Sequence, residues 1–477
     1  MQIKTKFEFF RRQNLIYLDS SATTQVPDQV INAVDQVLQY RGNPHRGAHR
    51  VAKRNEEILE EARQNVALFV NAKKEEVVFT NNTTDSINLA VDAIADHIKK
   101  GDEIITSVVE HHSNMIPYLK LVKRGAVIRI VGIKDGQLDI EDLKSKLSAR
   151  TKIVALHHCS NVLGNINPVA KIGNIIKKHN PNILYFIDGA QAVAHIPVDI
   201  RKIKCDFYAF SGHKMYGPDG IGVLIVNKKI HSLISKVRSG GGVVTDVAIT
   251  YGKDKDIISS SYDPSMIVLE GGTPNTSNIV SLSKAINFIR AIGFDEIQKH
   301  ERELTKKIIE ELEKIEELTV FGPKNIKDRI GVVSFGINEY NLKEMGDYLD
   351  KRKICIRYGS HCAFPLVDVL GQESIRLSLG CYSDENDVDT CLQEIRNFID
   401  KKKGLIKNLN LEPLRNKIYY QNLIPANNKN FIINKIKSAI YNSQETEVVV
   451  MAGHFLGIPD AKENKFWPSI KSMLPKR

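Results

Sequence analysis

The sequence predicts an α/β fold, with a large domain on a mostly parallel sheet and a smaller α+β domain beside it. Three observations predict it. Short apolar runs alternate with helical periodicity from about residue 76 to 226. Strands alternating with helices favour a parallel sheet covered on both faces. Near residue 290 the texture changes to long charged amphipathic stretches and short strands.

In chain order, the candidate strands of the large domain are Glu76–Thr80, Glu103–Ser107, Ala126–Val131, Lys152–His157, Ile183–Asp188, Asp206–Phe210 and Ile221–Val226. Ile87, Val91, Ile94 and Ile98 share one helical face, and Gly101 stands where a helix C-terminal glycine belongs. Farther on, Leu304, Ile308, Leu312 and Ile315 mark a long amphipathic helix. Two strands are expected around Ile330–Phe335 and Ile354–Arg357. The division that follows is a large domain over 14–290 and a small domain from 1–13 and 291–403. The remainder, 404–477, is a basic extension in which Phe431–Ile440 has a partly helical apolar pattern, Glu447–Met451 reads as a short strand, and Trp467 is the only tryptophan.

Composition narrows the function. The 477 residues suffice for two or three domains, and 42% hydrophobic with 26% charged residues is ordinary for a globular protein. No apolar run approaches a membrane span, and Met1–Gln13 lacks the apolar stretch of a secretory signal, so a cytoplasmic protein is expected. The net charge is 67 − 56 = +11, and residues 404–477 hold eleven Lys/Arg against five Asp/Glu, so +6 of it lies there. The nearly balanced main body argues against nucleic acid as a partner. None of the six cysteines forms a CxxC pair, so neither a zinc site nor a disulfide framework is expected. Most of them read as small buried hydrophobes.

Five stretches carry chemistry. Ser211-Gly212-His213-Lys214 follows a strand and precedes the turn Gly217-Pro218-Asp219-Gly220. That placement suits a lysine that condenses with an aldehyde while Ser and His hold a phosphate; the alternative is a surface lysine. Asp188 ends a buried strand, where it could pair with a protonated pyridine nitrogen or simply cap a helix. Thr83 and Thr84 open a helix, as phosphate donors or as plain caps. His111, within Glu110-His111-His112-Ser113-Asn114, could stack on a planar ring or be structural. Cys362 sits in a Gly/Ser loop where a mobile nucleophile is expected, with His361 and Arg357 placed to favour its thiolate; the alternative is a buried structural thiol. Arg376 could clamp a carboxylate through paired N–H groups.

Together these stretches resemble the cysteine desulfurases, SUF-type members of the class V aminotransferase-like, fold-type I pyridoxal-phosphate (PLP) enzymes. The resemblance covers about Leu15 to Lys403. It rests on Tyr17-Leu18-Asp19-Ser20-Ser21-Ala22-Thr23-Thr24, Asn43-Pro44-His45-Arg46-Gly47, the Glu110–Asn114 stretch and Ser160-Asn161-Val162-Leu163-Gly164. It continues through Asp188-Gly189-Ala190-Gln191, Ser211–Lys214, Glu270-Gly271-Gly272-Thr273-Pro274-Asn275 and the short loop Arg357–Cys362.

The resemblance implies a PLP enzyme that converts L-cysteine to L-alanine and passes the sulfur to Cys362 as a persulfide, for iron–sulfur cluster or other sulfur-cofactor assembly. It implies that Lys214 bonds to PLP, that Asp188 and Gln191 contact its pyridine nitrogen and phenolic oxygen, and that His111 stacks on the ring and moves protons. Asn161 would lie near the ring oxygen and the substrate, and Thr83, Thr84, Ser211 and His213 would hold the phosphate. Thr273 would reach the phosphate of a second subunit, implying a homodimer. Arg376 would bind the substrate carboxylate with Arg357 nearby, and a partner protein thiol would accept the sulfur. Two departures stand out: Asn82 replaces an expected glycine, for which positive φ is anticipated, and Cys381 is an unexpected thiol, a bystander or a second sulfur carrier. Competing readings are a selenocysteine lyase, another PLP-dependent C–S lyase and a catalytically silent scaffold.

Overall fold

A computed structural model describes residues 3–45, 47–338 and 340–407. The features read in 408–477, including the segments at Phe431–Ile440, Glu447–Met451 and Trp467, lie outside the described residues.

All seven strands expected between residues 76 and 226 form one sheet. They are β1 (Val77–Thr80), β2 (Glu103–Ser107), β3 (Val127–Val131), β4 (Thr151–His157), β5 (Leu184–Asp188), β6 (Phe207–Ser211) and β7 (Gly222–Val226). Their spatial order is β1-β7-β6-β5-β4-β2-β3, and only β7 runs antiparallel to its neighbours. Continuous apolar runs arise because both faces are covered. Tyr185 and Ile187 of β5, with Tyr208 and Phe210 of β6, enter one core cluster. The alternate residues Leu184, Phe186, Phe207 and Ala209 enter the cluster on the other face. Each fully buried large apolar side chain contributes about 1.5–3 kcal/mol, and a one-residue slip of register would swap the two sets between cores packed for other side chains.

The helix after β1 spans Thr83–Ile94 and then tightens into a single 3₁₀ turn, Ala95–His97. It therefore stops short of the end expected at Gly101. That glycine has φ +86° and serves a loop, its N–H bonding Gly125 O at 2.8 Å. Asn82 also departs from expectation: its φ is −173°, extended backbone, and its side chain caps the helix by accepting from Asp85 N at 2.9 Å. Glycine is needed on the facing strand instead, where a Cβ on Gly222 would stand 2.5 Å from Asn82 Cα.

After the hairpin of β8 (Val244–Thr250) and β9 (Ile257–Tyr262), two long helices, Thr276–Ile292 and Phe294–Leu312, lead to a second sheet. Its strands are β10 (Leu318–Val320), β11 (Val332–Ile337), β12 (Arg357–Gly359) and β13 (Ser374–Ser378), in the antiparallel order β10-β11-β13-β12. The single strand expected at Ile354–Arg357 is two: Ile354–Cys355 pairs in parallel with Ile16–Tyr17, while Arg357 begins β12. That N-terminal pairing brings Asp19 beside Ser378 of β13. Phe7 packs edge-on between Tyr382, Phe288 and Tyr216, fastening the N-terminal segment to both parts of the chain. No helix among the described residues is long and apolar enough to cross a membrane.

Candidate active site

A cavity of about 850 Å³ opens at the carboxyl ends of the parallel strands, where open α/β sheets bind their ligands. β2 leads into His111, β4 into Asn161, β5 ends in Asp188, and β6 leads into Lys214; all four residues line the cavity. The second sheet closes it with Arg357 and Arg376, and the loop between β12 and β13 adds Cys362.

Lys214 ends a one-turn 3₁₀ helix, Gly212–Lys214. Gly212 fixes that turn, its N–H bonding Ile221 O and its carbonyl accepting from Gly217 N, both at 2.9 Å. Burial holds the Lys214 amine below the ordinary lysine range, opposed by the Asp188 carboxylate. Asp188 is driven the other way by burial, while the Ala190 N–H, at 2.9 Å, and the Lys214 charge favour its ionised form. A lowered pKa frees more of the amine to act as a nucleophile, and a buried carboxylate that meets no cation at hydrogen-bond distance among the described residues suits a cationic ligand atom.

Hydroxyls collect at the start of the Thr83–Ile94 helix. Ser211 Oγ accepts from Thr83 N at 2.7 Å and lies 2.6 Å from Thr83 Oγ1, and Thr84 Oγ1 lies 2.7 Å from Ser113 Oγ. Helix-terminal amides with such hydroxyls favour an anion. His213 lines the same region, and burial lowers its pKa to about 4.

Gln191 is locked to Ser21, donating to Ser21 O at 2.8 Å and accepting from Ser21 Oγ at 3.0 Å. His111 Nδ1 accepts from Ser113 N at 3.1 Å, which leaves the proton of the neutral ring on Nε2. Burial, followed by the charge of Lys214, lowers its pKa to about 3. Asn161 spends its amide on His361 O at 2.9 Å, steadying the cysteine loop.

Arg376 is 2% exposed. Its Nη2 donates to Asp19 at 2.8 Å and its Nη1 to Asn161 O at 3.2 Å. Arg357 joins the same Asp19 carboxylate at 3.1 Å. Cys362 is the exposed thiol among the six cysteines. The expectation that His361 favours its thiolate is corrected. Burial lowers the His361 pKa to about 3, and its Nε2 donates to Ser374 O at 3.1 Å, so the site disfavours the positive charge that this role needs. Cys381 is buried, and burial raises its pKa to about 12, which fits the bystander and not a second carrier. Thr273 is exposed on a separate surface cleft with Arg41 and Asn43 and does not reach the cavity within one chain.

Residues 16–391 match the aminotransferase class-V family model. A cysteine desulfurase of Shigella sonnei is 36% identical over 394 residues, spanning 81% of this chain and 94% of that protein. The chain belongs to the cysteine desulfurases. Among solved structures, the cysteine desulfurase of Thermococcus onnurineus superposes with a TM-score of 0.77 at 34% identity, covering 84% of this chain and 98% of that one. The Escherichia coli cysteine desulfurase CsdA, solved in an S-sulfonic acid form, gives 0.75 at 30% identity over 84% and 98%.

For a desulfurase, the residues that sequence reasoning missed are those acting through others. Asp19 and Ser21 sit inside the quoted Tyr17–Thr24 stretch, yet nothing in their spacing shows that they meet Arg376 and Gln191 across the fold. His157 also lines the cavity and makes a buried 2.8 Å pair with Glu110. Its place at the end of β4 was the available sign.

Proposed function

We propose that this desulfurase uses PLP bound through Lys214 to take sulfur from L-cysteine onto Cys362. The observation that carries the proposal is that a lysine amine with no hydrogen bond to a described residue, a buried arginine and the exposed thiol all line one cavity. The residues fit the cofactor. The unpaired amine suits its aldehyde, Asp188 and Gln191 suit its ring nitrogen and phenolic oxygen, and His111 suits its ring face. The Thr83, Thr84, Ser211 and His213 cluster suits its phosphate. Bound PLP supplies an electron sink for the pair left on a substrate Cα when its proton departs.

The chain's own residues do the rest. Arg376 binds the substrate carboxylate through its planar guanidinium. The Lys214 amine, its pKa lowered by burial, takes the Cα proton. Cys362 Sγ attacks the substrate sulfur. The substrate C–S bond breaks with its electron pair staying on carbon, which takes up a proton, and an S–S bond forms. The balance is L-cysteine plus Cys362 thiol giving L-alanine plus Cys362 persulfide, with no outside oxidant. The persulfide then passes to the thiol of a partner protein. A homodimer in which Thr273 reaches the partner's phosphate site is part of the same reading.

The test is incubation with L-cysteine and a thiol reductant, measuring alanine and sulfide together. Equal amounts of both are expected, and pyruvate, or a Cys362 that carries no persulfide when the reductant is left out, would overturn the reading.

A further inference from the structure

We propose that His112 is a positioning residue that holds the Cys362 loop in its sulfur-accepting conformation. The inference rests on the reading of Cys362 as the acceptor.

The thiol stands on an unusual stretch of backbone. His361 and Cys362 are both left-handed, with φ of 51° and 58°. Side-chain-bearing L-residues disfavour that region, so surrounding contacts must hold it. Contacts from the large sheet do so. Asn161 donates to His361 O at 2.9 Å. His112 then brackets Cys362 itself. Its backbone N–H donates to Cys362 O at 2.8 Å, and its ring Nε2 accepts from Phe364 N at 3.0 Å. The ring also lies nearly parallel to Phe364, at 5.1 Å and 26°. One residue therefore grips the carbonyl of the nucleophile and the amide two positions beyond it.

His112 does not line the cavity, whereas its neighbour His111 does. It opens the 3₁₀ turn His112–Asn114 that follows β2, so it ties a loop of the second sheet to the carboxyl end of the first. Its action on the reaction is through the Cys362 loop and not through the substrate.

Two variants separate acceptor from packing. His112→Phe keeps a ring to lie on Phe364 but accepts no hydrogen bond. His112→Gln places a carbonyl oxygen near the position of Nε2. Single-turnover persulfide formation on Cys362 should fall about five- to tenfold in His112→Phe, the effect of losing one hydrogen bond of ordinary net strength. Iodoacetamide labelling of Cys362 should change with it, while the cofactor spectrum and KM for L-cysteine hold. His112→Gln should recover most of the rate. A normal rate in His112→Phe, a loss shared by KM and the cofactor spectrum, or no recovery in His112→Gln would each overturn the proposal. Cys362→Ser, run alongside, distinguishes the failures. Turnover in that variant removes the acceptor reading itself, whereas an inactive Cys362→Ser beside a normal His112→Phe removes only the positioning role.

Discussion

Asp19 accepts a hydrogen bond from Arg376 at 2.8 Å, and its carboxylate is shared with Arg357. The two arginines come from adjacent strands of the second sheet, while Asp19 arrives from the N-terminal segment through its bridge to Ser378. One carboxylate against two guanidinium groups leaves one positive charge over, which is what a substrate carboxylate requires. Arg376 Nε has no partner among the described residues. Asp19 thus fixes the orientation of Arg376 without neutralising the pair.

Asp19→Asn keeps the shape and removes the charge. Breaking this part-buried ion pair from one side leaves the Arg376 charge uncompensated and costs up to about 3 kcal/mol. Urea unfolding should show that loss, and KM for L-cysteine should rise because Arg376 is no longer held. A stability within about 0.5 kcal/mol of the parent, the ordinary range for a surface substitution, would mean that Asp19 orients nothing.

Arg376→Lys tests the other partner. A lysine has one ammonium where the guanidinium offers a planar fork. Loss of a charged hydrogen bond costs about 1.5–3 kcal/mol, roughly ten- to a hundredfold in binding. The apparent affinity for L-cysteine should weaken by that factor while the resting cofactor spectrum stays as it is. An unchanged KM would assign the carboxylate to another group.

The thiols should divide cleanly. Cys362→Ser should retain the cofactor on Lys214, seen by borohydride reduction and peptide mass spectrometry, yet release almost no alanine or sulfide. Cys381→Ser should turn over normally, because its thiol is buried and protonated. Persulfide found on Cys381 by mass spectrometry would reverse that assignment.

How much of this was legible follows from where each contact originates. The inner strands are readable because burial on both faces makes their runs continuously apolar, as in Leu184-Tyr185-Phe186-Ile187, whereas β3 at the sheet edge is mostly exposed and shows itself by its β-branched residues. β13 is hard to read as strand because Ser374, Arg376 and Ser378 look exposed in sequence, although all three are buried. The alternation of Ile375 and Leu377 was its sign, since both enter the second core. Lys214, Asp188 and Cys362 were legible because their chemistry is local to strand ends and loops. Asp19 and His112 were not, because their roles depend on partners more than 200 residues away. The misjudgement of His361 has the same source: adjacency to Cys362 suggested a cation, whereas burial makes the ring neutral.

That neutral ring gives a pH dependence of stability. The His361 pKa is lowered from 6.5 to about 3 by burial and then by the nearby Arg376 charge. Between those values the unfolded chain binds a proton that the folded chain excludes. Stability from this group is therefore fully present above about pH 6.5 and is lost as the pH falls toward 3, by at most ~1.4 kcal/mol per pH unit. His111, lowered likewise to about 3, acts in the same direction. His361→Gln keeps a donor for Ser374 O but does not titrate. Urea midpoints taken from pH 7.5 to 4.5 should fall less steeply for His361→Gln than for the parent, with the two curves converging as the pH drops. Parallel curves would mean that His361 keeps its ordinary pKa in the folded protein, and would leave it able to become a cation beside Cys362 as the pH falls through 6.5.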